Sequence, residues 1–332
     1  MTRPNLLEGE RDMSNGTIRS SVMWKASRQF VVSVLFLLWI AQLAEAQSSQ
    51  LADPGTVDVT NRYANSGALI AWVKPNDIGL PEGLIPICSG VLIHERVFLT
   101  AGHCTGPAEN GLPPFIKIFV SFSPNALDRS KWVPVISQIT HPSMPPCAFP
   151  PGCDPTITDA FKAGDPEISD LGLVFLEFGA RFEPARLARA GILEDRTAAN
   201  IPMVTVGYGS TALLGPGEPP PNAAWDGLRR FRRSELHHVL NKRWATWKLP
   251  SSVCFGDSGS PTFFNAHPLG RQDHDRVVAI ASDGGIDCIS ADTRSRVDTV
   301  AVQQWIKRTV KEQLGPHINI AEDDTRHNGG TP

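Results

Sequence analysis

Residues 253–261 read VCFGDSGSP. Glycines and small polar residues around one acid and one serine are poor core material, but they suit a turn where the backbone approaches something closely. As turn residues, Asp257 and Ser258 would do no more than shape a surface loop. As chemistry, Ser258 is a candidate nucleophile whose neighbouring N–H groups could stabilise an oxyanion. Such a serine needs a base to take its proton and an acid to hold that base in the right tautomer. His103 ends the apolar run in FLTAGHCT, directly before Cys104, and a disulfide there would pin the base. Asp170 stands at the mouth of the apolar run in ISDLGLVFLEF, where a carboxylate can be partly buried and still reach out, whereas Asp165 and Asp159 sit in the looser loop before it. Each residue alone has a bland reading: a turn, a packed histidine, a loop acid. Together, widely spaced and in the order His, Asp, Ser, they point to acyl transfer. The other common serine-hydrolase arrangement requires G-x-S-x-G and the order Ser, Asp, His. Here GDSGS has the glycine-flanked look, but Gly259 falls one residue out of register, and His103 comes first.

The elements that must position these residues are short. Apolar runs rich in Val, Ile and Phe recur at 68–73, 90–101, 115–122, 132–140, 171–178, 202–209 and 275–282, separated by turn-forming clusters. This pattern, with 28 Gly and 28 Pro, predicts an antiparallel barrel or sandwich. RRFRR (229–233) reads as a strand with solvated arginines beside an inward Phe231. VAVQQWIKRTVKEQL is different: Val302, Trp305, Ile306, Val310 and Leu314 share one helical face, which predicts a helix over 300–314. Two Pro-rich insertions, 141–155 and 214–225, read as loops, the first stiffened by a Cys147–Cys153 disulfide.

The apolar run 30–46 follows Lys25 and Arg28 and ends in Ala44-Glu45-Ala46, the pattern of a secretory signal peptide, with Met1 and Met23 both possible starts. The alternative is an uncleaved anchor. Domain boundaries follow: an extension and signal over 1–46, a lead-in or propeptide over 47–62, the folded domain over 63–315 and a polar tail over 316–332. All six cysteines lie after the signal, and an even count in an exported chain implies disulfides. A net charge of −3 gives no bulk case for nucleic acid or an anionic membrane. The expected partners are protein or peptide substrates of a secreted monomer, with no nucleic acid and no stable membrane association after signal cleavage. No cofactor or metal is called for: there is no C-x-x-C pair, and the acidic loop 154–170 lacks EF-hand spacing.

CSGVLIHERVFLTAGHC, SDLGLVFLE and CFGDSGSP resemble the three signature blocks of the chymotrypsin/trypsin-like serine peptidases. The resemblance spans roughly residues 63–312, and NSGALIAWV and VTVGYGS look like a secreted branch from bacteria and fungi. It implies an all-β fold of two six-stranded antiparallel barrels closed by a C-terminal helix. It implies His103 as general base, Asp170 as orienting acid, Ser258 as nucleophile, and the amides of Gly256 and Ser258 as the oxyanion hole. It also implies disulfides Cys88–Cys104 and Cys254–Cys288, leaving Cys147 with Cys153. IASDGG matches the segment that binds substrate backbone as an added strand, so Ser282 and Gly284 should line the cleft. The other reading is a binding or regulatory protein on the same scaffold.

The sequence departs from the family in three places. The Ile-Val-Gly-Gly start is absent, and NRYANSG stands in its place. Either cleavage after Arg62 frees Tyr63 to pair with Asp257, or Asp257 finds another cation within the fold. Ser260 replaces the usual glycine after GDSG. The pocket-floor position, six before the nucleophile, is Ser252 rather than Asp, which suggests apolar or aromatic specificity. Against that, matching ADTRSRV to the family's last pocket strand implies Asp292 on the pocket wall, where it could attract a basic side chain.

Overall fold

A computed structural model describes residues 55–74, 82–105, 116–145, 165–195, 203–211, 225–248, 253–264, 276–284, 288 and 291–322. The signal region, the Cys147–Cys153 pair, Asp159 and Ser252 lie outside the described residues. The chain enters through β1 (Thr56–Val57). Six strands then close the first barrel: β2 (Ser66–Val73), β3 (Gly83–His94), β4 (Val97–Thr100), β5 (Ile116–Ser121), β6 (Trp132–Thr140) and β7 (Gly172–Leu176), in the order β2-β3-β4-β7-β6-β5. After the short β8 (Arg186–Leu187) come β9 (Met203–Gly207), β10 (Arg230–Val239), β11 (Trp244–Lys248), β12 (Pro261–Phe264), β13 (Arg276–Asp283) and β14 (Asp292–Arg296). These run in the order β10-β11-β14-β13-β12-β9, and the β10–β9 pairing closes them into a second antiparallel barrel. β1 adds to the edge of β10, and β8 adds in parallel to β13. The helix α1 (Val300–Leu314) completes the fold.

The apolar runs read from the sequence became β2, the β3–β4 hairpin, β5, β6, β7, β9 and β13. Barrel closure explains their composition: inward positions fill a closed interior, and both barrels are lined by side chains with essentially no exposure, among them Leu69, Phe98, Val120 and Phe175 in the first and Phe263, Val277 and Trp247 in the second. Val302, Trp305, Ile306 and Val310 of α1 join the same apolar cluster as the first barrel's core. Each such buried side chain contributes roughly 1.5–3 kcal/mol.

The structure corrects the reading of RRFRR. Arg229 is fully buried and Arg232 nearly so, while Arg230 pairs with Asp226 and only Arg233 stands well out in solvent. Arg229 donates through Nε to Asp58 Oδ2 at 2.9 Å and through Nη1 to the carbonyls of Ser66 and Phe122 and to the hydroxyl of Tyr208. One guanidinium thus ties the β1 segment and first-barrel backbone to Tyr208, just after β9. Residues 55–62 are therefore part of the packed structure, and so are residues 316–322: Ile320 is buried, and Leu187 donates its N–H to Ala321.

Where β6 ends, His141 packs edge-on against Trp305 of α1 with ring centroids 4.7 Å apart, and its Nδ1 lies 2.8 Å from Ser143 Oγ. Burial first, then the positive charges of Arg243 and Arg308, lowers its pKa from 6.5 to about 4. The folded protein therefore keeps His141 neutral over a window in which the unfolded chain takes up a proton. Stability should fall as the pH drops from 6.5 towards about 4, by on the order of 3 kcal/mol. His141→Phe should flatten that part of the profile, as read from urea midpoints across the window.

Candidate active site

His103 lies in a 3₁₀ turn (Gly102–Cys104) directly after β4, and Asp170 directly precedes the Leu171–Gly172 entry into β7. β4 and β7 are neighbours, with Thr100 opposite Gly172, so strand register brings base and acid together. His103 Nδ1 sits 2.8 Å from Asp170 Oδ2, and the backbone N–H of His103 donates to Asp170 Oδ1 at 2.8 Å. Asp170 is wholly buried. Burial pushes its carboxyl pKa up, but the positive charge of His103 and hydrogen bonds from His103 and Ser282 outweigh that and hold it below the usual carboxylate range. An ionised carboxylate can only accept, so Nδ1 is the donor in this contact. Close packing holds the turn in place. A Cβ on Gly102 would stand 2.9 Å from the Leu171 carbonyl, and one on Gly172 would stand 2.5 Å from Thr105 Oγ1.

The second barrel brings up residues 253–260. Asp257, fully buried, accepts hydrogen bonds from Gly209 N at 2.9 Å and Cys254 N at 3.1 Å, and from Arg232 Nη2 at 2.6 Å. The loop is folded around this carboxylate, with Ser260 N bonded to the Asp257 carbonyl. Gly256 adopts φ +90° and Gly259 φ +84°, a region that side chains with a Cβ rarely enter. Ser258, between them, is half-buried, and its carbonyl accepts from Ser89 N at 2.7 Å. Ser89 Oγ in turn donates to the Gly256 carbonyl at 2.8 Å, and Thr100 Oγ1 donates to the Ser89 carbonyl. Gly259 presses against Ser89, Thr100 and Ala101, the last only two residues before His103. The candidate nucleophile loop therefore seats on the strand ends that deliver the candidate base.

A third connection comes from β13. Gly259 N donates to the Ala281 carbonyl, and Ala281 N donates to the Ser260 carbonyl. The next residue, Ser282, donates its hydroxyl to Asp170 Oδ2 at 2.5 Å. One strand thus touches both the serine loop and the acid. Gly284 follows at the end of β13, packed against Val253. Exposed Asp283, between Ser282 and Gly284, has its carboxyl pushed up chiefly by the packing around it, and it feels the charges of both His103 and Asp170. Asp165 does not reach His103; its Oδ1 accepts from Glu167 N instead.

Disulfides join Cys88 to Cys104 and Cys254 to Cys288. The first ties the turn carrying His103 to the residue before Ser89; the second ties the start of the serine loop to the segment between β13 and β14. His103 lies close enough to Cys88 and Cys104 for three ligand atoms to fall within 4.8 Å, but the two sulfurs are bonded to each other and cannot act as thiolate ligands.

Two residues of this arrangement escaped the sequence reading. Ser89 lay inside CSGVLIHERVFLTAGHC but was assigned no role. Arg232 lay in a run read as surface, yet it provides the internal cation that the absence of an Ile-Val-Gly-Gly start left open. Tyr63 N, the other candidate partner for Asp257, donates instead to Asp58 Oδ2 at 2.9 Å.

Two closed six-stranded barrels and a C-terminal helix are the fold of chymotrypsin-like serine peptidases. Solved structures that share it include HL collagenase, with a TM-score of 0.52 and 17% identity over 77% of this chain and 97% of that one. They also include GrC, granzyme C, with a TM-score of 0.50 and 16% identity over 77% of this chain and 98% of that one. No protein-family model and no curated protein sequence matches the chain.

Arg232→Met leaves the Asp257 carboxylate buried without its cation. It should lower stability by about 3–5 kcal/mol and loosen residues 254–260, as measured by urea unfolding and by hydrogen exchange of the Gly209 and Cys254 amides. Arg232→Lys, which keeps the charge, should retain part of both.

Proposed function

We propose that the protein is a secreted serine endopeptidase. The observation that carries this reading is the short His103–Asp170 contact, with Asp170 fully buried and held by Ser282, beside a serine loop seated on the same strand ends. Ser258 Oγ attacks the scissile carbonyl while His103 Nε2 takes its proton. Asp170 keeps the ring oriented and stabilises the imidazolium. The amides of Gly256 and Ser258 hold the negative charge on the carbonyl oxygen as the tetrahedral intermediate forms. His103 then returns the proton to the leaving amine, and water hydrolyses the acyl-enzyme on Ser258 by the same route. Substrate backbone pairs along Ser282–Gly284 as an added strand.

Secretion is supported by the signal-like segment 30–46 and the two disulfides; among the described residues no helix is long and apolar enough to cross a membrane. Activity does not require cleavage after Arg62. Asp257 already holds Arg232, and the backbone of Arg62 and Tyr63 is bonded to Asp58. A new ammonium at Tyr63 would therefore lie beside Asp58.

A fluorophosphonate probe should label the purified protein without prior trypsin treatment, and Ser258→Ala should abolish labelling and lower kcat on a peptide substrate about a million-fold. Asp170→Asn should cost about ten-thousand-fold through the wrong tautomer. Gly256→Val, forced into φ +90°, should lose about a hundred- to a thousand-fold through a misdirected amide. An unlabelled but folded wild-type protein would favour the binding-protein alternative.

A further inference from the structure

The chain leaving β5 passes through Phe122, Ser123 and Pro124. With Val133 of β6 and the segment 178–182 that follows β7, these residues line a cavity of about 580 Å³. That volume falls within the range of about 300–1,000 Å³ typical of small-molecule sites. His103, Asp170 and Ser258 are not in its lining.

The walls are held from behind. Phe122 meets Phe98 edge-on with ring centroids 5.8 Å apart, and its centroid lies 5.7 Å from that of Phe182. The Phe122 carbonyl accepts from Arg229 Nη1 at 3.1 Å, the Ser123 carbonyl from the Tyr208 hydroxyl at 2.7 Å, and the Pro124 carbonyl from Arg229 N at 2.8 Å. Asn61, which also lines the cavity, gives its side-chain oxygen to Arg229. In the segment after β7, Ala180 N donates to the Glu95 carbonyl at 2.7 Å. The cavity is therefore formed before anything enters it, which keeps the ordering cost of binding low.

The lining has two characters. Phe122, Val133, Phe178, Ala180 and Phe182 make it apolar, and Phe178 leaves 52% of its surface in water. Lys131 and Arg181 add two exposed cations, and neither forms an ion pair among the described residues. Asp128 lies three residues before Lys131, but its Oδ1 accepts from the N–H and the hydroxyl of Ser130. Glu95 packs behind Gly179, where a Cβ would stand 3.6 Å from Oε2, and is not in the lining. No acidic side chain lines the cavity.

We propose that this cavity is a binding site, separate from the candidate triad, for an amphiphilic carboxylate. Its apolar body would lie among Phe122, Phe178 and Phe182, with the anionic head at Lys131 and Arg181. Removing Phe178 and the body from water supplies most of the affinity. The head stays partly solvated, so its attraction to two exposed cations is modest and sets the sign of the preferred charge. A cationic head on the same body would meet two like charges. The proposal does not depend on the peptidase reading.

Calorimetry on the full secreted protein tests it, with decanoate and decyltrimethylammonium as probes that share a tail and differ in the charge of the head. Decanoate should bind one molecule per chain with a Kd below about 1 mM, and decyltrimethylammonium at least about tenfold more weakly. Lys131→Glu combined with Arg181→Glu changes only exposed side chains and should reverse that preference. Ala180→Trp should fill the cavity and abolish decanoate binding. The proposal would be overturned by a wild type that ignores decanoate at about 1 mM, by equal affinity for the two probes, or by a folded double variant with the wild-type decanoate affinity. Absence of fluorophosphonate labelling would count against the peptidase reading and leave this site untouched.

Discussion

The loop that carries Ser258 is built around one buried carboxylate. Asp257 is fully buried and collects two backbone amides and a guanidinium, and the chain from Cys254 to Ser260 turns about it. The same constraint reaches back to β9. A Cβ on Gly207 would stand 2.1 Å from Asp257 Oδ1, and one on Gly209 2.2 Å from Oδ2. The glycines of VTVGYGS therefore make room for the carboxylate that shapes the loop. Ser260 Oγ lies 3.5 Å from Asp257 Oδ1, which gives this departure from the usual glycine a place within the same pocket.

Paired buried charge recurs through the second barrel. Arg229 with Asp58, Arg232 with Asp257, Arg294 with Asp292 and Arg296 with Asp298 are all ion pairs with side chains between 0% and 5% exposed. Such pairs are weak evidence for net stability, because removing both charges from water costs about as much as their attraction returns. They are strict about geometry, since a guanidinium that shifts leaves a buried carboxylate unpaired. In this molecule they act as positioning elements: one joins the entry segment to both barrels, one shapes the serine loop, and one braces β14 against β9 and β12.

This is also where the sequence was least legible. The apolar runs became strands and the helix over 300–314 formed as its periodicity requires, because barrel interiors and a one-sided helix leave period-two and period-3.6 patterns in the chain. β11, β12 and β14 left no such trace. WATWK, PTFF and DTRSR are short, and DTRSR is polar because its inward positions hold the charged pairs rather than aliphatic groups. Arg229 and Arg232 read as surface for the same reason: charge alone cannot announce a partner 171 residues earlier or 25 residues later. The triad candidates were legible because strand ends, cysteines and glycines mark them locally. Ser89, which bridges the serine loop to Thr100, was not, because its role exists only once β3 packs against the second barrel.

An arginine in place of a chain-terminal amine at Asp257 changes what the serine loop depends on. An α-amino group loses its charge near pH 8, whereas a guanidinium keeps it throughout the physiological range. An amine must be created by cleavage and then inserted; Arg232 is carried on β10 and is in place when the barrel closes. The β1 segment takes a structural role. Asp58 binds the amides of Arg62 and Tyr63 and the guanidinium of Arg229, and Tyr63 stacks on Phe263 of β12 at 5.9 Å. Asp58 and Tyr63 are both buried, and Arg229 joins Asp58 to the carbonyls of Ser66 and Phe122 in the first barrel.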